Sequence, residues 1–192
     1  MAITFPETHA THDDAARMLA MRRAGLWLFF FSETILFGLL LAARFFLTGI
    51  EAEPLDQEVG LAITVILLLS SVTAFSGEVA IRKGRQKAAS WWFVATIVLG
   101  FLFFAGVAYE WSIAHFSREN PFGTVFFAMT GTHALHVLSG LVMFLLLIPH
   151  VIKGKFTPTN YWAVQAVVMY WHFVDVVWVI FYPALYLVQG VD

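Results

Sequence analysis

The sequence predicts an all-α integral membrane protein, a bundle of five transmembrane helices with a cytoplasmic N-terminus and an external C-terminus. Three observations carry this expectation. The 192 residues are 60% hydrophobic and 12% charged, with a mean hydropathy of +0.78, a composition that does not suit a water-soluble domain. Five apolar runs are each long enough to cross about 30 Å of hydrocarbon, which takes about 20 residues as a helix. Their cations also fall in a lopsided pattern.

The first 23 residues hold Glu7, His9, His12, Asp13, Asp14, Arg17, Arg22 and Arg23. They lack the apolar core and small-residue cleavage site of a secretory signal and read as a retained, solvated arm leading into a helix. The spans follow at 24–47, 60–81, 91–111, 123–149 and 161–188, with no room between them for a soluble domain. Helix-breaking or turn residues, among them Gly49, Pro54, Gly84, Pro121, Gly154 and Pro158, mark the connections. Continuous apolar runs without alternation favour helices, which satisfy their own backbone in lipid.

Orientation follows from the positive-inside rule. Arg17, Arg22 and Arg23 precede the first span, Arg82, Lys83, Arg85 and Lys87 join the second to the third, and Lys153 and Lys155 join the fourth to the fifth. The other side holds Glu51, Glu53, Asp56, Glu58, Glu119 and Asp192, against Arg44 at a helix end and Arg118. This scattering of cations and the net charge of −2 argue against a nucleic-acid partner. The absence of cysteine excludes disulfides, thiolate metal sites and a cysteine nucleophile. No phosphate-binding loop or catalytic triad pattern is present.

Ionisable residues deep in a span are costly, so each is a functional candidate. Glu33 lies about ten residues, or about 15 Å, into the first span. His133 and His136 share one face of the fourth, and His172 with Asp175 repeat the spacing on the fifth. Glu110 closes the third beside Tyr109 and Trp111, a pattern typical of anchoring at the membrane interface. Glu78 stands one turn before Arg82, as a surface ion pair would. Three readings of the deep set remain open: ligands for a metal or haem, a proton relay through Glu33, the histidines and Asp175, or hydrogen bonds between helices beside the small residues Gly131, Ser139 and Gly140. In the last, a neighbouring helix, the fourth, would satisfy His172 and Asp175. The many aromatics read as packing and lipid contact.

The segments "FFFSETILF", "AYEW", "FGTVFFAMTGTHALHVLSG" and "YWHFVDVVW", in this order and with the basic loop after the second span, resemble subunit III of haem-copper respiratory oxidases in its short, five-helix form. The resemblance covers essentially the whole membrane part. It implies an accessory subunit with no catalytic residue, metal or redox centre of its own, packed chiefly against subunit I, which carries haem and copper, with subunit II and other respiratory-complex subunits nearby. It further implies bound phospholipid and support of proton uptake during oxygen reduction. Glu33 matches the family's membrane carboxylate in the "SE" segment, associated with proton uptake and carbodiimide reactivity. Glu110 matches the acidic residue ending the aromatic helix, and His133, His136, His172 and Asp175 match family-typical interhelical bonding groups. Two departures matter: the lipid cleft of the longer form loses two of its helices, and quinol oxidases and nitric oxide reductase-associated subunits share the pattern. Glu33, where the quinol branch tends to carry Asp, points to the cytochrome c type. The expected location is a bacterial cytoplasmic membrane.

Overall fold

A computed structural model describes residues 7–50, 53 and 55–188; the charges at Glu51 and Asp192 and the turn proline Pro54 lie outside the described residues. Five helices follow one another: α1 (Glu7–Thr48), α2 (Gln57–Arg82), α3 (Gln86–Ile113), α4 (Pro121–Ile152) and α5 (Trp162–Tyr182), the last continuing into a π-helical turn at Pro183–Leu187. All five are long and apolar enough to cross a membrane. They run past the limits that hydropathy sets: the polar arm from Glu7 onward is already helical, and α4 passes through Pro149 to end at Ile152. Helix propensity and the backbone's own hydrogen bonds extend a span into the interface, where hydropathy no longer registers it.

The ends are set by local chemistry. Asp56 caps α2, its Oδ1 accepting from the Glu58 and Val59 amides at 3.0 and 3.1 Å, and Asn120 caps α4 by accepting from the Phe122 amide at 2.8 Å, with Pro121 in the first turn. Gly84 and Gly154 terminate α2 and α4 at φ of +69° and +66°. In both cases the next residue's amide reaches back to a carbonyl of the last turn, Arg85 to Ala80 at 2.8 Å and Lys155 to His150 at 3.1 Å, a closure that needs the left-handed conformation glycine adopts freely.

The chain divides into two compact units after Leu36. The first is helical, and its hydroxyls turn back on their own backbone: Ser32 donates to Phe29 O at 2.8 Å and Thr34 to Phe30 O at 2.7 Å. Trp27 meets Phe30 edge-on at 5.8 Å. In the second unit α2, α3, α4 and α5 pack in turn, and α5 closes back on α2. The result is an up-down four-helix bundle in which every neighbour is antiparallel. The last turns of α1 add Phe37 to a core with Phe126, Met129, Phe181 and Tyr186.

Water drives little of this packing, since lipid is as apolar as the side chains, so close contact must hold the bundle. Trp171 on α5 lies where α3 and α4 present Gly100 and Gly140. A Cβ at Gly100 would stand 2.9 Å from its ring and one at Gly140 2.7 Å. Trp178, two turns on, meets Phe103 of α3 at 4.9 Å and His133 of α4 at 4.8 Å. Both indoles also donate to α2, Trp171 to Ser70 Oγ and Trp178 to Thr64 Oγ1, each at 2.9 Å.

At one end of the bundle the Gln86 amide donates to the Phe156 carbonyl, tying the basic α2–α3 turn to the basic α4–α5 connection. Elsewhere Asn120 Nδ2 donates to Glu53 Oε1 at 2.8 Å. Arg44, which the charge pattern places at a helix end, is fully buried. It donates to Thr48 Oγ1 and Gly49 O and lies over the Phe122 ring at 5.0 Å.

Candidate functional site

The polar residues of the second unit form a seam along α2 and α5. Gln57, Thr64, Ser71 and Glu78 recur every seven residues on α2, two turns apart and so on one face. Gln57 donates to Tyr186 O at 3.1 Å, Thr64 accepts from Trp178, Ser71 meets His172 Nδ1 at 2.5 Å, and Glu78 meets the Gln165 amide. α5 supplies the partners in reverse order, as antiparallel packing requires. This repeat is visible in the sequence, but its partners could not be assigned without the axial offset of the two helices.

His172 and Asp175 therefore face α2, where the sequence pointed to α4. The reason is the roll of α5: Trp171 and Trp178 fill the bundle interior, and the adjoining His172 is rotated toward Ser71. Asp175 is buried at 4% exposure, with the Ser71 hydroxyl of α2 as the side-chain donor nearest its carboxylate.

α4 contributes differently. His133 is completely buried, edge-on to Phe103 at 5.5 Å, and its Nε2 lies 3.0 Å from the Val174 carbonyl. That carbonyl fixes the tautomer, because only Nε2–H can donate to it, and leaves Nδ1 as an enclosed acceptor with no partner among the described residues. His136 lies 2.8 Å from its own helix at Thr132 O through Nδ1, and its ring meets Phe37 at 4.7 Å. Beside it Tyr170 donates to His136 O at 3.2 Å and shares a 2.6 Å hydrogen bond with Ser139. The two histidines are thus on one helix face yet serve different neighbours.

Glu110 departs from the interface role its position suggests. It is 2% exposed, and both carboxylate oxygens accept from the Tyr186 hydroxyl, at 2.5 and 2.6 Å. Tyr186 sits in the π-helical turn that begins at Pro183, where the wider coil buries Ala184, Leu185 and Tyr186 in succession. Gly60 on α2 makes room for the phenol, since a Cβ there would come within 2.4 Å of its ring. The only sequence signal was Pro183 itself, which interrupts the helical ladder. Glu33 belongs to the first unit, between Ser32 and Thr34 on α1.

Among the described residues, no three His, Asp or Glu side chains converge as ligands for a metal ion would. The arrangement can bond helices together and hold a proton at His133 Nε2, at the His172–Ser71 pair and between Tyr186 and Glu110.

The sequence model of the family described as cytochrome c oxidase subunit III matches residues 6–189. Among individual relatives, the cytochrome c oxidase subunit 3 of Corynebacterium diphtheriae is 40% identical over 142 residues, covering 72% of this chain and 69% of the relative. The protein of the same name from Thermostichus vulcanus is 35% identical over 174 residues, covering 86% and 87%. A probable cytochrome c oxidase subunit 3 of Nocardia farcinica is 34% identical over 176 residues, with 85% of each chain covered.

Proposed function

Because this chain belongs to the cytochrome c oxidase subunit III family, we propose that it is the non-redox subunit that braces the oxidase and serves proton uptake, while haem, copper and oxygen chemistry reside in a neighbouring subunit I. The chain is an integral membrane protein and part of the cytochrome c oxidase complex. One observation carries the finer reading: two deep histidines bond across helices, His133 to the Val174 carbonyl of α5 and His172 to the Ser71 hydroxyl of α2. Such groups set helix register.

Subunit I is the chief partner in this reading, with subunit II beside it, cytochrome c as donor and phospholipid as a bound component. The membrane is the bacterial cytoplasmic membrane, with the N-terminus inside. The joining of two basic connections at one end of the bundle, through Gln86 and Phe156, supports that orientation, since Lys and Arg stay on the cytoplasmic side.

Glu33 is the residue assigned to proton uptake. Glu33→Ala in the assembled oxidase is expected to leave the haem spectrum unchanged while slowing proton uptake or shortening the time the enzyme stays active during turnover. Stopped-flow pH measurements and a progress curve of oxygen consumption test this. A variant complex that loses its haem signal, or one that keeps wild-type uptake and lifetime, contradicts the assignment.

A further inference from the structure

Where α2 ends and α3 begins, the two helices enclose a groove of about 280 Å³. α2 lines it with Phe75, Ser76, Val79 and Lys83, spaced as one face of a helix, and α3 with Arg85 and Trp92, two turns apart on one face. Its floor is low because both helices place alanine there, Ala80 and Ala88. Alongside, Phe93 of α3 seats against Gly77 of α2, where a Cβ would stand 2.4 Å from its ring. The helices already touch at that point, so the groove does not close by their approach.

The chemistry changes along the groove. At its mouth Lys83 and Arg85 flank Gly84, and both are exposed. Among the described residues neither is paired with a carboxylate, and Glu78, near this end of α2, is engaged by Gln165 and Arg82 instead. Phe75 stands eight residues before Lys83, about 12 Å along the axis. It is 53% exposed, and Trp92 is 42% exposed. Two unpaired cations thus stand at the aqueous end of an apolar trough that runs toward the middle of the bilayer. An anionic phospholipid has the same order, a phosphate at the interface and acyl chains below it. Each Lys or Arg at the end of a span favours such a lipid by about fivefold, and an indole suits the level between head group and chain. A zwitterionic lipid fills the trough as well but brings no net charge to the two cations.

We propose that the groove between the end of α2 and the start of α3 binds one anionic phospholipid, its phosphate held by Lys83 and Arg85 and an acyl chain laid along Val79, Phe75 and Trp92. This rests on the reading of phospholipid as a bound component, and it gives that lipid a charge and a place.

The test uses the purified complex in phosphatidylcholine vesicles doped with phosphatidylglycerol that carries a photoreactive diazirine on one acyl chain. A parallel sample carries the same diazirine on phosphatidylcholine. Mass spectrometry of the irradiated chain maps the adducts. The expected result is labelling of Phe75, Val79 or Trp92 by the phosphatidylglycerol probe well above that by the phosphatidylcholine probe. Lys83→Gln and Arg85→Gln should each lower this preference about fivefold, and Lys83→Arg should keep it. Ala88→Phe, which fills the floor and leaves both cations, should bring labelling by the anionic probe down to the phosphatidylcholine level. Equal labelling by the two probes, or a preference unmoved by loss of the cations, overturns the proposal. So does a preference that survives Ala88→Phe, which is general attraction to a basic turn, and so does labelling by neither probe, which means that a neighbouring protein covers the groove. Should Ala88→Phe fail to fold, the wild-type preference and the two glutamine variants still decide. A phosphorus assay of the complex as purified reads the bound-lipid function separately. Retained phospholipid without a preference at the groove sinks this site alone; a preference at the groove in a complex that retains no phospholipid sinks the bound-component reading alone.

Discussion

Trp171→Ala is expected to cost the bundle about 3–5 kcal/mol, the usual range for emptying a large aromatic site, a large share of the roughly 5–15 kcal/mol that holds a typical domain folded. The residue is fully buried and joins all four helices of the bundle: it grows from α5, lies against Gly100 of α3 and Gly140 of α4, packs on Phe144 at 5.4 Å, and donates to Ser70 of α2. Alanine leaves a hole that neither glycine can fill, and it takes the indole donor from the Ser70 oxygen, whose own proton still goes to Leu67 O. Trp171→Phe should lose less, because the ring stays and one hydrogen bond of about 1 kcal/mol goes. Gly140→Leu should approach the alanine variant from the other side, since its side chain must occupy space the indole holds. Unfolding of the purified chain in graded denaturing detergent, followed by tryptophan fluorescence, ranks the three. A Trp171→Ala chain as stable as wild type would remove the residue from its place at the centre of the bundle.

The same residue shows how much of the molecule was legible beforehand. Hydropathy locates all five helices because each must span hydrocarbon with a nearly uninterrupted apolar run, and the punctuation at Gly49, Gly84 and Gly154 is a backbone requirement that one residue type meets best. Trp171 looks like any other membrane aromatic in that reading. What sets it apart is that Gly100 and Gly140, on two other helices, come level with it, and depth between helices is not written in any single segment. The pairing of His172 shows the same limit. Its spacing from Asp175 marks a polar face, while the choice of α2 over α4 depends on how far α5 rolls to seat two tryptophans. The repeat at Gln57, Thr64, Ser71 and Glu78 lay closer to hand, since a polar residue every seventh position on a span defines a stripe. Glu110 was hardest to place, because its partner becomes available only when Pro183 opens the helix into a wider turn.

That last contact supports the second large effect. Tyr186→Phe is expected to destabilise the fold by about 1–3 kcal/mol, or more if the carboxyl is ionised, because a buried acceptor loses its donor. Both Glu110 oxygens share the one hydroxyl. Glu110→Leu alone takes the Glu110 acceptor from the phenol O–H and should cost a comparable amount. The double change removes both polar groups and fills the space with apolar atoms, so its cost should fall well below the sum of the singles. The cycle therefore separates two explanations that either single variant would leave together. A strongly non-additive result means that Glu110 is kept as a partner for Tyr186, holding the π-helical turn against α3. Additive losses would mean that Glu110 and Tyr186 stabilise the end of the bundle independently, and that Glu110 is retained for contacts beyond this chain. Gln57 provides the internal control, since its bond runs to the Tyr186 carbonyl and survives loss of the hydroxyl. Gln57→Ala should weaken the same turn without altering the coupling between Glu110 and Tyr186.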